Sequence, residues 1–245
     1  EDAVTTGRAG LGEVIVWAAG NGGQNSDRID YDPYGSNRFS MAVGAIDFYD
    51  RHSLYSEPGS SLMLVTTSDY DFSGPDMGIY TTWGFNTYTA SFGGTSAASP
   101  IAAGVAALVL QTNPALGWRD VQHVLIRSAR KVNPSDTTWI YNGAGPGNMR
   151  SWSEIYGFGA IDAGAAVALA PTWVNRPAQQ QYTGPVVMLN QPIPDNNLAG
   201  VSTSTSVASP LIVERVQVTL NAPHTRIGQL RIPLTSPSGT VVTLA

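Results

Sequence analysis

A chain of 245 residues that is 42% hydrophobic is long and apolar enough to form one large packed domain or two moderate ones. Its formal net charge of -5, with only 13 Lys plus Arg and no basic run, argues against nucleic acid as the main partner. The lack of cysteine excludes a disulfide framework, a thiolate zinc site and a cysteine nucleophile. The longest apolar run, residues 101–110, is about half of a bilayer span, so we expect no membrane segment.

The N-terminal half contains several short apolar segments separated by polar turns. Residues 13–19, EVIVWAA, form a near-continuous apolar run that ends at a Gly-Asn-Gly-Gly turn. Such runs are typical of strands that are buried on both faces of a parallel sheet. Further short apolar segments follow at 41–46, 62–66 and 79–83. These segments predict the strands of a sheet.

Three helices are predicted between residues 93 and 171. The stretch 93–111, GGTSAASPIAAGVAALVLQ, predicts a glycine turn and then a helix that is apolar on nearly every side, as in the centre of a domain. Residues 112–130 have apolar positions at helical spacing and predict an amphipathic helix. Residues 156–170 predict a closing helix that ends at Pro171. Strands and helices in alternation indicate an α/β fold.

The composition changes after Pro171. Residues 172–210 are rich in Pro, Gln, Asn, Ser and Thr, and they show little helical periodicity. Apolar and polar residues then alternate at 216–220 and at 230–234, which is the pattern of half-buried antiparallel strands. An antiparallel sandwich needs about seven strands, and this segment supplies three or four. We therefore expect a second, β-rich domain that is truncated.

Two segments resemble the subtilisin-like serine proteases. The string GTSAASP followed by AAGVAAL is similar to their nucleophile segment, which implies that Ser96 is the nucleophile. The string GLGEVIVWAAGNGG (10–23) is similar to the segment that carries the oxyanion-hole asparagine, which implies that role for Asn21. Without the resemblance, the first string is a helix start rich in small residues, and the second is an ordinary Asn-Gly turn. A phosphate-binding loop does not fit, because no Lys-Ser/Thr follows.

Three further stretches resemble the kexin and furin branch, whose members cut after basic residues and carry a β-sandwich P domain. They are GWRDVQHVLIRSA (117–129), YGFGAIDAGAAVALA (156–170) and GQLRIPLTSPSGTVVTL (228–244). The resemblance implies that 1–171 is the C-terminal part of a subtilisin-like catalytic domain, a mostly parallel sheet with helices on both faces. It implies that 172–245 is a linker and the start of a jelly-roll-like P domain. It also implies a secreted or exported protein.

Three acidic residues match functional carboxylates of this branch. Asp32 matches a carboxylate that lines the pocket for the basic side chain before the scissile bond. Asp27 and Glu57 match carboxylates that hold a calcium ion, a cation that prefers oxygen ligands. Taken alone, Asp32 is an Asp-Pro turn residue, and Asp27 and Glu57 are surface charges.

The family's catalytic triad is incomplete in this sequence. Neither an Asp-Asp-Gly nor a His-Gly-Thr segment is present, and His52, His123 and His224 lie in other contexts. The resemblance therefore implies that the catalytic His and Asp lie upstream of this fragment. The partners it implies are a polypeptide substrate and either the missing N-terminal segment or an intramolecular chaperone.

The sequence thus predicts a calcium-binding serine endopeptidase that cuts after Arg or Lys. Two alternatives remain open. The chain can be a pseudoprotease or interaction module that kept the fold without the triad, which a search for an upstream His-Gly-Thr segment would decide. It can also be a broad-specificity subtilisin with an attached binding sandwich, in which Asp32 is incidental; cleavage-site profiling separates this alternative from the first prediction.

Overall fold

The computed structural model describes residues 1–73, 78–141, 143, 150–207 and 212–245. The strands in chain order are β1 (Ile15–Ala18), β2 (Ser40–Ile46), β3 (Leu62–Thr67), β4 (Ile79–Trp83), β5 (Thr87–Phe92), β6 (Ile140–Tyr141), β7 (Ser151–Trp152), β8 (Pro233–Thr235) and β9 (Val241–Thr243). The α-helices are α1 (Asp2–Thr6), α2 (Thr95–Thr112), α3 (Trp118–Ser128) and α4 (Ala163–Leu169).

The central sheet is parallel, with the strand order β1-β2-β3. Ile15 pairs with Ser40, and Ala42 pairs with Leu62. All seven residues of the middle strand β2 are buried, because that strand has neighbours on both edges and is covered on both faces. The continuous apolar runs in the sequence therefore predicted this sheet correctly.

Helix α2 packs against the parallel sheet. Ala98 and Ala102 share a buried cluster with Val43 and Ala45 of β2, so small side chains let the helix approach the strand closely. The expected burial on every side is not found, because Ile101 and Leu108 on the opposite side are 37% and 47% exposed in the described chain. In length and composition α2 would suffice to cross a membrane, a test that core helices of globular domains also meet.

Helices α3 and α4 lie beside α2 and extend the core. Their buried residues Leu125 and Ala166 share a cluster with Val109 of α2 and Leu64 of β3. The opposite face of the sheet contacts Ile29, Val132, Tyr156 and Ala160, which lie outside the α-helices and strands, among the described residues. The described helices α2, α3 and α4 therefore pack on one face of the sheet.

The predicted closing helix at 156–170 is shorter than expected and spans Ala163–Leu169. Gly157 and Gly159 have φ angles of 55° and 124°, which a right-handed helix does not accommodate. Ala160 instead forms backbone bridges with Val65 of β3 and with Arg130. The side chain of Asp162 then accepts a hydrogen bond from the Ala165 N–H at 2.8 Å and caps the helix.

The apolar segment at 79–83 does not join the parallel sheet. It forms β4, which pairs in antiparallel fashion with β5. The three residues between Trp83 and Thr87 explain this arrangement, because parallel strands need a crossover of a dozen or more residues. Strand β5 leads through Gly93 and Gly94 into α2.

The chain divides into two compact units. The first contains Glu1–Asn175 together with Arg231–Ala245, and the second is Arg176–Leu230. In the first unit, β8 and β9 pair in antiparallel fashion around a turn at 236–239, and β8 overlaps the strand predicted at 230–234. The described residues of the second unit contain no strand, so the predicted strand at 216–220 is absent. The domain boundary after Pro171 stays a prediction.

Candidate active site

Two turns meet at the N-terminus of α2. The first follows β1 and contains Asn21, and the second contains Gly94 and Thr95. The backbone N–H and the hydroxyl of Thr95 both donate to Asn21 Oδ1, at 3.0 and 2.9 Å. The N–H of Gly20 donates to Thr95 Oγ1 at 3.1 Å. Asn21 is therefore held beside the residue that precedes Ser96, although the two positions are far apart in the sequence.

Ser96 is the second residue of α2, and its side chain is exposed. Its hydroxyl makes no hydrogen bond to any residue that the structure describes. Gly94 has a φ of 79°, and a Cβ at that position would lie 3.1 Å from Asn21 Nδ2. Glycine therefore leaves open the space between the serine turn and the asparagine amide.

The two polar atoms of the Asn21 side chain have different environments. Oδ1 accepts both hydrogen bonds from Thr95. Within the described part of the chain, Nδ2 has no hydrogen-bond partner. That amide group is a donor beside the serine turn, at the positive end of the α2 dipole. Such an arrangement stabilises negative charge on an oxygen placed between Asn21 and Ser96.

A buried polar group that no sequence motif marks lies beneath the serine turn. Asp69 Oδ1 accepts hydrogen bonds from the Gly94 N–H at 2.9 Å and from the Tyr55 hydroxyl at 2.6 Å. The Ser68 hydroxyl donates to the Gly94 carbonyl at 2.9 Å. Burial, together with the hydrogen bond to Asp69, raises the pKa of Tyr55 to about 12. No motif marks these residues, because they lie 25 to 39 positions before Gly94.

Asp32 is half-buried, and three donors fix its carboxylate. Oδ1 accepts from the backbone N–H groups of Tyr34 and Gly35 at 2.7 and 3.1 Å, and Oδ2 accepts from the Trp17 indole at 3.2 Å. Burial raises the pKa of Asp32, but these three hydrogen bonds outweigh burial and keep that pKa below its usual value. Asp32 therefore presents a fixed negative charge near the carboxyl end of β1.

Asp27 and Glu57 approach the same glycine. The Gly22 N–H donates to Glu57 Oε1 at 2.9 Å. A Cβ on Gly22 would lie 2.9 Å from Asp27 Oδ2 and 3.1 Å from Glu57 Oε1, so both carboxylates converge there. Burial is the largest effect on Glu57 and raises its pKa, and the negative charge of Asp27 raises it further.

This pair fits part of a calcium site. Two carboxylate oxygens close together match the ligands that Ca²⁺ takes, and a cation there would relieve their mutual repulsion. The described residues contain no cluster of three or more His, Cys, Asp or Glu that can hold a metal. Asp27 and Glu57 would therefore supply two ligands, and carbonyl oxygens or water would supply the others.

The three histidines lie in separate environments. His52 packs edge-on against Tyr156, with 6.0 Å between ring centroids. His123 stacks on Trp173 at 6.3 Å. His224 lies 3.5 Å from the Asp195 carboxylate. Within the described chain, none of the three is hydrogen-bonded to the Ser96 hydroxyl.

Comparison with known proteins agrees with this geometry. The family described as "Subtilase family" matches residues 1–159, about two thirds of the chain. The chain belongs to the subtilase family. The family described as "Proprotein convertase P-domain" matches residues 213–245. The predicted resemblance to the subtilisin-like serine proteases is therefore confirmed, and the P-domain match agrees with the predicted kexin and furin branch.

The curated relatives are also proteases of the kexin and proprotein convertase type. Protease KEX1 of Kluyveromyces lactis is 38% identical over 249 residues, which cover 99% of this chain and 32% of that protein. Human proprotein convertase subtilisin/kexin type 7 is 37% identical over 249 residues, which cover 96% of this chain and 31% of that protein. The chain therefore spans about a third of the length of the curated relatives it matches.

A solved structure supports the fold. The serine protease of Aeromonas sobria, crystallised in complex with a chaperone, superimposes with a TM-score of 0.78 at 26% sequence identity. The match covers 95% of this chain and 49% of that one. The predicted subtilisin-like α/β fold is confirmed.

Proposed function

We propose that this chain forms part of a serine endopeptidase in which Ser96 is the nucleophile and Asn21 stabilises the oxyanion. The supporting observation is the pair of hydrogen bonds from Thr95 to Asn21 Oδ1, which leaves Nδ2 beside the serine turn. The relatives support the reaction class, since they include a kexin-type protease and a proprotein convertase.

In this proposal, the Ser96 oxygen attacks the carbonyl carbon of the scissile peptide bond. A serine hydroxyl is a weak nucleophile unless a base takes its proton. The His and Asp that complete the triad are proposed to come from sequence outside these 245 residues. The developing oxyanion accepts hydrogen bonds from Asn21 Nδ2 and from a backbone N–H at the start of α2.

The variant Asn21→Asp tests the oxyanion role in the complete enzyme. An aspartate retains an oxygen for both Thr95 donors, but it loses the Nδ2 donor and adds a negative charge that repels the oxyanion, so the loss of one donor sets the lower bound of the effect. We expect kcat to fall by about 10²- to 10³-fold, the usual loss for one oxyanion-hole donor. Steady-state hydrolysis of a fluorogenic peptide measures this change, and thermal melting checks that the fold is retained. A kcat close to wild type would contradict the proposed role of Asn21.

We further propose that Asp32 selects Arg or Lys before the scissile bond. A guanidinium or ammonium group can form charge-assisted hydrogen bonds with this carboxylate, which are roughly twice as strong as neutral ones. In Asp32→Asn we expect kcat/KM for an Arg peptide to fall by about tenfold to a few hundredfold. Matched Leu and Phe peptides should be little affected.

One observation favours the broad-specificity alternative. The Asp32 carboxylate already accepts hydrogen bonds from Trp17, Tyr34 and Gly35, so a role in holding the turn would also explain it. Equal losses for Arg, Lys, Leu and Phe peptides in Asp32→Asn would support that role. A loss confined to Arg and Lys peptides would support substrate recognition.

The proposed cofactor is calcium, held in part by Asp27 and Glu57. Subtilases generally bind calcium, and the two converging carboxylates support a site beside Gly22. The proposed substrate is a polypeptide. The Aeromonas sobria protease, crystallised in complex with a chaperone, supports an intramolecular chaperone as a further proposed partner, and the proprotein convertase relatives support a secreted or exported enzyme.

A further inference from the structure

The serine turn is held from below by a buried polar group that the motifs do not include. Asp69, Tyr55 and Ser68 are only 5%, 2% and 2% exposed. All three contact the peptide group of Gly94, two residues before Ser96. We propose that Asp69 and Tyr55 are positioning residues that fix Ser96 relative to Asn21 for catalysis. This inference rests on the function proposed above.

Asp69 is the centre of this group. Its Oδ1 accepts hydrogen bonds from the Gly94 N–H and from the Tyr55 hydroxyl, and Oδ2 accepts from the Phe72 N–H at 2.8 Å. A Cβ on Gly93 would collide with the carboxylate, so Asp69 lies directly against the chain that leads to the nucleophile. Its two oxygens thereby hold the Gly94 N–H, the Phe72 N–H and the Tyr55 hydroxyl in fixed positions.

Tyr55 connects the serine turn to the asparagine turn. Its hydroxyl lies 2.6 Å from Asp69 Oδ1 and 3.1 Å from the Gly94 nitrogen. Its backbone carbonyl accepts a hydrogen bond from the Gly23 N–H at 2.8 Å, two residues after Asn21. One buried residue therefore contacts both turns. Its phenol stays protonated, because burial and the Asp69 hydrogen bond raise the pKa of Tyr55 to about 12.

Side-chain hydrogen bonds fix the two residues that precede Ser96. The Gly94 N–H is held by Asp69 and Tyr55, the Gly94 carbonyl by Ser68, and both donors of Thr95 by Asn21. A displacement of about 1 Å in a reacting group can cost 10²-fold in rate. Asp69 and Tyr55 are buried beneath the turn, so we expect neither side chain to contact a bound substrate. Their loss should therefore lower kcat and leave KM nearly unchanged.

The test compares Asp69→Ala and Tyr55→Phe with wild type in the complete enzyme. We expect kcat per titrated active site to fall by about 10²-fold in Asp69→Ala and about tenfold in Tyr55→Phe, with KM changed by less than about threefold. Asp69→Asn keeps one oxygen acceptor for Gly94 and Tyr55, so it should recover part of the kcat lost in Asp69→Ala.

Asp120→Ala is the matched control. Asp120 is also a buried carboxylate, and it accepts hydrogen bonds from the Gly117 N–H and the Trp173 indole at the start of α3. Its loss should lower the melting temperature without changing kcat per active site. If Asp120→Ala loses as much kcat as Asp69→Ala, the effect of Asp69 is a general effect of losing a buried carboxylate, and the inference is overturned.

The outcomes separate this inference from the proposed function. If wild-type enzyme hydrolyses peptides and Tyr55→Phe and Asp69→Ala keep wild-type kcat, the positioning role is overturned and the proposed function stands. If Asp69→Ala does not fold, the nearly isosteric Tyr55→Phe decides alone. If the wild-type enzyme does not hydrolyse peptides, the proposed function fails and the inference falls with it.

Discussion

Apolar side chains are buried in the region around α2, whereas many of those in residues 176–230 are exposed. Strand β2, which packs on α2, has all seven residues buried. In the second unit, Val216, Val218 and Leu220 alternate with polar residues, yet they are 60%, 48% and 53% exposed and form no strand. An alternating pattern becomes a strand only where a neighbouring strand pairs with it and a packed layer covers its apolar side.

The largest stability effect should come from truncating a leucine in the first unit. Leu125 of α3 is fully buried, and Leu125→Ala would remove its contacts and leave a cavity. We expect the free energy of unfolding to fall by about 2 to 5 kcal/mol. Chemical denaturation of the complete enzyme, monitored by hydrogen exchange in α2 and α3, measures this loss.

Leu198 in the second unit provides the matched control. It is fully exposed, so Leu198→Ala should change the free energy of unfolding by less than about 0.5 kcal/mol. Equal effects of Leu125→Ala and Leu198→Ala would contradict the contrast between the two regions.

A smaller effect should depend on pH. His52 is only partly exposed, and burial lowers the pKa of its imidazole to about 4, although the charge of Asp136 opposes this shift. Its Nε2 has no hydrogen-bond partner in the described structure. Between pH 6.5 and 4 the unfolded chain therefore binds more protons at this residue than the folded chain. Stability should fall as the pH is lowered through this range, by roughly 3 kcal/mol in total.

The variant His52→Gln isolates that contribution. The difference in unfolding free energy between wild type and His52→Gln should change between pH 6.5 and 4 and stay constant above pH 7, where the residue is neutral in both states. Denaturant titrations at several pH values measure it. If the difference in unfolding free energy does not vary with pH, the pKa of His52 is not lowered in the folded protein, and the prediction is wrong.

Calcium should raise the free energy of unfolding of the first unit, and the increase should grow with the calcium concentration. A ligand that binds only the folded state adds about 2.7 kcal/mol at a hundredfold excess over Kd. Calcium should slow hydrogen exchange around Gly22 but not in residues 176–230. Glu57→Gln should weaken this protection, with Glu154→Gln as a control because Glu154 is partly exposed and pairs with Arg28. Unchanged protection in Glu57→Gln would place the calcium elsewhere.

Features that depend on a contiguous string of residues were predictable from the sequence. The serine and asparagine turns each follow a short glycine-containing motif, and the structure brings Asn21 and Thr95 into contact as that resemblance implies. The strands β1, β2 and β3 were predictable because each coincides with a continuous apolar run, although β1 at the edge of the sheet is only partly buried.

Features that depend on tertiary contacts were not predictable. The Asp69 and Tyr55 contacts join residues 14 positions apart, and no local pattern distinguishes them from surface polar residues. The helical pattern at 156–170 is interrupted because Gly157 and Ala160 pair with the backbone of other segments. The segment 79–83 looks like a core strand, and only its short connection to β5 makes it a hairpin.

The reaction of the complete enzyme with a fluorophosphonate tests the assignment of Ser96 most directly. The reagent forms a covalent adduct with an activated serine, and mass spectrometry identifies the modified residue. We predict one adduct, on Ser96, slower labelling in Asn21→Asp and none in Ser96→Ala, which should also lose its peptidase activity. Peptidase activity retained in Ser96→Ala, or an adduct on another residue of the active enzyme, would contradict the account.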